Sequence, residues 1–418
     1  MHPLMQHKSY MQKLLLSILL TLFFVQCSKN SKPEKAVSAE QATHIRILNE
    51  IPSRIQSIEN LTLFPGDAEP TYSVELIPEQ TFGETGEPYV IRVLDCVEDN
   101  KGKVILWNAD ANYEQILYVY NADGSYHTQL GRQGRGPGEY GHIVGMQAKA
   151  GKVFILDYTS QRLNEYSTKD YSFMHSMLFE RWKSSEGLKF GYVEPRNDGN
   201  YLMTFSDKKS KLGRLEIKYQ VMDSEGKRVN VKPLVFPAGF KINVGQSMRP
   251  TMPLTFMGKT ITALSDEDTL YSVWTQDFLI RKYDAKGLYQ SAIYYPIKGL
   301  PFDLDEYTKT SLFSPKAHDI KKAFDDMDKE FPTTNPVLDK LMVDDENRIW
   351  VALPADIEGN SYEWWILSSS GELLAKLVLP RDQPIFDIKN DYLYSKKMNE
   401  ETGTEYVVKY RIEWTEKE

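Results

Sequence analysis

The chain has almost no cysteine. Two thiols, Cys27 and Cys96, stand among 418 residues. No network of disulfides can staple the fold, so stability must come from a buried core. Histidine is scarce too, and no two of the seven fall at the i, i+4 spacing of a helical metal site. No Gly-x-Ser-x-Gly elbow occurs, which removes the usual signature of a hydrolase nucleophile. No run of Lys and Arg appears and the net charge is −8, so nucleic acid is not the partner. Calcium-loop spacing, Asp-x-Asp-x-Asp-Gly, is also missing. The acidic clusters Asp266-Glu267-Asp268 and Asp344-Asp345-Glu346 read instead as solvated turns.

What the chain has is aromatic side chains and turns. Aromatic content is 12%, with 25 Tyr, which suits flat packing on pleated strands. A turn residue, a polar residue and an apolar run recur together six times. The copies are Gly102-Lys103-Val104-Ile105, Gly151-Lys152-Val153-Phe154, Gly199-Asn200-Tyr201-Leu202, Gly258-Lys259-Thr260-Ile261, Asn347-Arg348-Ile349-Trp350 and Asn390-Asp391-Tyr392-Leu393. Recurrence every 40–60 residues or so, with one longer interval before Asn347, marks a β-propeller. Gly serves the turn because it accepts positive φ, and Asn substitutes for it best. A second turn follows in the same order at Asp123-Gly124, Glu225-Gly226, Lys286-Gly287 and Ser370-Gly371, with Lys169-Asp170 taking that place in the second unit. These turns predict an all-β, six-bladed β-propeller with blades at about 88–135, 141–182, 188–237, 252–297, 336–380 and 384–415. The last unit has room for three strands. The segment Thr71–Ile77, ending at Pro78, supplies the fourth and closes the ring by pairing the chain ends.

The long interval holds a helical insertion at about 302–334. Ser314-Pro315 reads as an N-cap and first helical position. Ala317, Ile320, Phe324, Met327 and Phe331 then share one helical face, and Pro332 ends it. A helix covering the propeller rim is the first reading, and a lid over a central pocket the second.

At the N-terminus, Lys13 precedes an apolar run from Leu14 to Val25. It is too short for a comfortable membrane span and reads as a secretory signal peptide, with Met11 an alternative start. The run ends at Val25-Gln26-Cys27, followed by polar Ser28-Lys29-Asn30. This arrangement resembles a bacterial lipoprotein processing site, departing from it at Phe24 and Gln26. The resemblance implies cleavage before Cys27 and acylation of that residue. Residues 1–26 are then a signal peptide, 27–43 a lipidated tether and 44–418 the propeller. Cys96, within Val93-Leu94-Asp95-Cys96-Val97, is left without a partner and reads as a small buried hydrophobe.

The densest motif is Leu130-Gly131-Arg132-Gln133-Gly134-Arg135-Gly136-Pro137-Gly138-Glu139-Tyr140. So many glycines make a tight loop between blades. It lacks the Lys-Ser/Thr and helix start of a phosphate loop. With Val153-Phe154-Ile155-Leu156-Asp157 and Arg162-Leu163, it resembles NHL-type repeats. More closely it resembles the six-bladed β-propeller lipoproteins of Bacteroidetes, in which Gly-Arg-x-Gly-x-Gly-Pro-Gly-Glu-aromatic follows the first blade. Gly131 to Tyr140 match that stretch, while the later blades depart from the NHL pattern. The resemblance implies the fold and an outer-membrane location, the periplasmic face favoured over the cell surface. It implies no common reaction.

Arg132, Arg135, Glu139 and Tyr140 are the candidate ligand-binding residues, since Arg suits bidentate pairing with the carboxylate of an acidic sugar or peptide. Alternatively, Arg and Glu pair with each other and fix the loop. Neighbouring strand residues face opposite ways, so at most one ring of Trp364-Trp365 is core and the other is free to stack on sugar. The expectation is a lipid-anchored binding protein for a carbohydrate, a peptide or an envelope partner. Two alternatives stay open. One is a metal-assisted hydrolase, lactonase or polysaccharide-degrading enzyme, its calcium held in the central channel as in related six-bladed propellers. The other is an envelope scaffold. No catalytic residue and no cofactor is assigned. Acids and amides converging on the channel would favour the enzyme, and an aromatic or featureless channel would favour binding.

Overall fold

The computed structural model describes residues 51–178, 188–207, 213–243, 251–310, 317–326, 330–356 and 359–418. The signal segment, Cys27, the tether, Ser314-Pro315 and Met327 lie outside the described residues. Six antiparallel sheets make the six blades of a β-propeller. Blade 1 is Arg92–Glu98, Val104–Ala109, Gln115–Tyr120 and Tyr126–Gln129. Blade 2 is Ile143–Lys149, Lys152–Asp157, Arg162–Ser167 and Phe173–Leu178. Blade 3 is Leu188–Pro195, Tyr201–Asp207, Gly213–Met222 and Leu234–Asn243, with Thr251–Pro253 added outside. Blade 4 is Thr260–Leu264, Leu270–Trp274, Leu279–Tyr283 and Tyr289–Tyr294. Blade 5 is Lys340–Val343, Ile349–Pro354, Ser361–Leu367 and Leu373–Pro380. Blade 6 is Ile385–Lys389, Tyr392–Met398, Glu405–Glu416 and, from the other end of the chain, Tyr72–Phe82.

The closing strand runs from Tyr72 opposite Glu416 to Phe82 opposite Val407. It does not stop at Pro78 as the sequence suggested. Pro78 sits at a register shift on the outer edge of the blade, where its missing N–H breaks no ladder. Ahead of it, Leu61–Leu63 pairs in parallel with Ala292–Tyr294 and gives blade 4 a fifth strand. Arg54 fastens this lead-in through two hydrogen bonds to Asp277, both 2.8 Å.

Each blade is packed on both faces, so cores form between blades. This corrects the expectation for Trp364-Trp365. Both rings are 3% exposed. Trp364 enters the core shared with blade 6 and Trp365 the core shared with blade 4. Opposite directions in a doubly packed strand lead to two cores, and neither ring is free for sugar.

The predicted turn residues take left-handed backbone, with φ 75° at Gly102 and 61° at Asn347. Blade 4 differs. Gly258 leads into the innermost strand, Thr260–Leu264, whereas its counterparts lead into the second strand. The equivalent position in blade 4 is Asp268, φ 61°, ahead of Leu270–Trp274. These hairpins are nucleated by a side chain three residues before the left-handed position. Asp99 accepts the N–H groups of Lys101 and Lys103, Asp344 those of Glu346 and Arg348, and Ser265 those of Glu267 and Thr269. The acidic clusters are turns, as expected, but not fully solvated ones. Asp344 and Asp268 are buried, held by Arg348 and Lys149.

The insertion forms helices Leu304–Thr310 and Ala317–Asp326. Phe324 stacks on Phe331 at 4.0 Å and Phe302 on Phe256 at 4.4 Å, over Ile242 and Leu254. The insertion therefore caps the outer end of blade 3, which is the rim-covering arrangement. No described helix is long and apolar enough to cross a membrane.

Candidate functional site: the central channel

The loop 131–140 is held from below by three alternate residues of one blade 2 strand. Arg162 donates to the Gly136 carbonyl, Asn164 to that of Glu139 at 2.9 Å, and Tyr166 to that of Gly138 at 3.0 Å. Glu139 accepts from Arg132 Nε and from the Gly136 N–H, both 2.8 Å. Those two partners hold its carboxyl below the usual range. Tyr140 is fully buried. Its hydroxyl donates to the Leu130 carbonyl at 3.1 Å and accepts from the Leu117 N–H. Three of the four sequence candidates thus have internal partners, and Arg132 and Arg135 present exposed guanidinium groups. The glycines follow from this close fit. A Cβ on Gly131 would lie 2.6 Å from Tyr166 Oη, at a φ of 62°.

A deep concavity lies elsewhere. A cavity of about 330 Å³ runs down the propeller axis, walled by the innermost strands of all six blades. These strands run the same way, so the channel has one end where they begin and one where they finish. Four of them carry a β-bulge near the beginning: at Leu94 in blade 1, Val144 in blade 2, Gly191-Tyr192 in blade 3 and Phe386 in blade 6. Bulges re-aim side chains and gather at functional sites. Just after them come the polar groups of the mid-channel, Asp95, Gln147, Glu194 and Asp387. Blades 4 and 5 have no shift in the corresponding ladders and contribute Thr262, Ala263, Leu264, Leu341, Met342 and Val343 at this depth, with Asp266, Asp344 and Asp345 following at the far end. At mid-channel, therefore, one side carries the carboxyls and the other is largely apolar.

Protein surrounds these carboxyls except along the channel. Burial, reinforced by the charge of Asp387, pushes the Asp95 carboxyl up to about 8, against the help of the Cys96 N–H. Burial also raises Glu194 to about 7 and Asp387 to about 6. Gln147 Nε2 donates to Glu194 and, at 2.9 Å, to Tyr192 Oη. Asp387 accepts the N–H groups of Glu98 at 2.8 Å and Ile388 at 3.0 Å. Asp95 receives, among the described residues, only the Cys96 N–H, at 2.8 Å. Among the described residues, no Lys or Arg forms a salt bridge with Asp95, Glu194 or Asp387. The basic groups of the channel are engaged near its far end. Lys149 pairs with Asp268 at 2.9 Å, and Lys389 donates to the Glu98 carbonyl at 3.4 Å. There, one oxygen of Asp345 accepts the Asn390 N–H, while the other is buried and meets no donor among the described residues.

Calcium takes six to eight oxygens; among the described residues no group of three or more His, Cys, Asp or Glu comes together to hold a metal. Cys96 is buried and unpaired, and burial pushes its thiol well up, so it is packing and not a nucleophile.

Sequence reasoning missed the channel residues because each belongs to a different blade. A trace of them was visible, since Asp95 interrupts an otherwise apolar strand.

Residues 77–264 match the profile of the family DUF5128, described as a 6-bladed beta-propeller. Solved structures with a similar chain path include a protein of Bacteroides fragilis NCTC 9343 described as exported. It is 13% identical with a TM-score of 0.48, over 84% of this chain and 99% of that one. The calcium-binding protein regucalcin of Agrobacterium tumefaciens strain C58 is 12% identical, TM-score 0.38, over 84% and 96%. A PQQ-bound aldose sugar dehydrogenase of Streptomyces coelicolor is 12% identical, TM-score 0.39, over 83% and 100%. No curated protein matches the chain.

Proposed function

We propose that this protein is an extracytoplasmic, lipid-anchored binding protein that takes a small ligand, or one group of a larger one, into the central channel of its propeller. The observation that carries this reading is the mid-channel constellation of Asp95, Gln147, Glu194 and Asp387, aimed into a cavity of about 330 Å³. Burying carboxyls costs stability unless something pairs with them, and such costs concentrate at functional sites. The anchor rests on the apolar run Leu14–Val25 and on Cys27. Exposed Tyr113, with Arg92 stacked 4.9 Å over its ring, and exposed Tyr89 stand where the inner strands begin, and mark that end as the mouth.

A second reading, acid–base catalysis, is favoured by one observation: Asp95 and Asp387 face the same cavity with carboxyls held at different proton affinities. Turnover of a bound ligand would identify it.

The test is a thermal-shift screen of amines, neutral and acidic saccharides and short peptides on the wild type and on Ala148→Trp, which fills the channel from blade 2. A ligand that raises the wild-type melting temperature and not that of the variant supports the reading. Ligands that stabilise both equally place binding elsewhere.

A further inference from the structure

The channel's charge is unbalanced in a way that selects a ligand class, an argument that rests on the channel being the binding site. Asp95, Glu194 and Asp387 project from the bulged blades with no basic side chain in salt-bridge contact among the described residues. At the far end, Asp345 adds a buried carboxylate oxygen that meets no donor among the described residues. The lysines that could balance them are drawn to Asp268 and to the Glu98 carbonyl. Opposite stand Ala263, Leu341 and Val343, which offer nothing to a hydroxyl and suit a hydrocarbon chain. An anionic ligand would meet the carboxyls of blades 1, 3 and 6. A fully hydroxylated one would leave hydroxyls unpaired against the apolar wall.

We propose that the channel binds an organic cation: an ammonium or guanidinium group on an aliphatic stem, its charged head against Asp95 and Asp387, with Glu194 lining the same cavity, and its stem along blades 4 and 5. A long basic side chain divides in this way between an apolar stem and a charged end. Such a group could be a free alkylamine or the side chain of a Lys or Arg in a peptide, and the two share the same chemistry at the site.

Proton release gives the binding its signature. Asp95 faces Asp387 and Tyr192, Glu194 faces Tyr192 and Lys149, and Asp387 faces Glu98 and Lys389. Without a cation, Asp95 and, in part, Glu194 hold protons near neutrality, while Asp387 is largely ionised. A cation seated among them favours the carboxylates and expels those protons.

The experiment is calorimetric titration of the purified full-length protein at pH 7.5 in phosphate and in HEPES. The probes are butylammonium, butylguanidinium, butanol, butyrate, and a blocked Gly-Lys-Gly peptide with its acetyl-lysine counterpart. Binding of the cations but not of butanol or butyrate, with a buffer-dependent heat that reports proton release, is the expected result. In Asp95→Asn the affinity falls about ten-fold or more, with an unlowered melting temperature, and Glu194→Gln gives the same direction by an independent route. Peptide binding that exceeds butylammonium binding identifies a protein-borne lysine, and the reverse identifies a free amine. Equal binding of butanol, or no proton release, overturns the inference. A neutral saccharide that binds the wild type and is blocked by Ala148→Trp also overturns it while leaving the channel as the binding site. No ligand blocked by Ala148→Trp removes both readings.

Discussion

The backbone N–H of Glu98 donates to Asp387 Oδ2 at 2.8 Å, which ties the innermost strand of the first blade to that of the last. Asp387 also takes the Ile388 N–H at 3.0 Å. One carboxylate therefore helps hold the ring closed and faces the ligand channel. Asp387→Ala leaves two N–H groups without their acceptor and is expected to cost about 1–3 kcal/mol in urea unfolding. Asp387→Asn keeps an acceptor and should cost clearly less. Equal losses would mean that charge, and not hydrogen bonding, is what the position supplies.

Asp95 makes stability depend on pH in an unusual direction. Its folded carboxyl titrates at about 8, against an ordinary 3.8. Between those values the native protein holds a proton that the unfolded chain has released. The stabilisation it brings is fully present below about pH 4 and lost as pH rises towards 8. Asp95→Asn removes this dependence. At pH 8 the variant should be about 1–3 kcal/mol more stable than wild type, and near pH 4 the two should coincide. Denaturant midpoints across the range will decide, and a variant less stable at pH 8 would count against a protonated, unpaired Asp95.

The Gly-rich loop yields a graded comparison. Gly131→Ala would set a Cβ 2.6 Å from Tyr166 Oη at a φ of 62°. Gly199→Ala has a φ of 77° and nothing within 4 Å. The second should cost about 1 kcal/mol for backbone conformation alone. The first must add the displacement of Tyr166, whose hydrogen bond to Gly138 is worth about 1 kcal/mol. Melting temperatures should fall in that order, and Tyr166→Phe should recover part of the Gly131→Ala loss.

Closure rests on Tyr72–Phe82. Deleting residues 51–82 bares the edge of Glu405–Glu416 and removes the fifth strand of blade 4. Exposed edges pair with other chains, so size-exclusion chromatography should find oligomers or aggregate. A monomeric, well-folded product would show that three strands suffice for blade 6.

The fold was legible because each blade repeats a local solution. Gly102, Gly151, Gly199, Asn347 and Asn390 announced hairpins that the backbone requires, whatever packs around them. Blade 4 slipped because Ser265 does the work of Asp99 and Asp344, and Asp268 takes the left-handed position. The pattern of Asp or Ser, two residues, then Gly, Asn or Asp would have aligned all three. Trp364-Trp365 misled for a different reason. Strand alternation fixes opposite directions, but only the ring of blades makes both directions interior. The channel was hidden more deeply. Asp95, Gln147, Glu194 and Asp387 come together through closure and through bulges at Leu94, Val144, Tyr192 and Phe386, and a bulge leaves no local mark in sequence.

The central claim is that Asp95 and Glu194 are kept as buried carboxyls at a cost to the fold for the sake of a ligand. The most direct test combines Asp95→Asn with Glu194→Gln and measures, at pH 8, the melting temperature without ligand and the shift produced by butylammonium. The account predicts a double variant that melts no lower than wild type and has lost the ligand-induced shift. A double variant that melts much lower, or one that keeps the full shift, would contradict it.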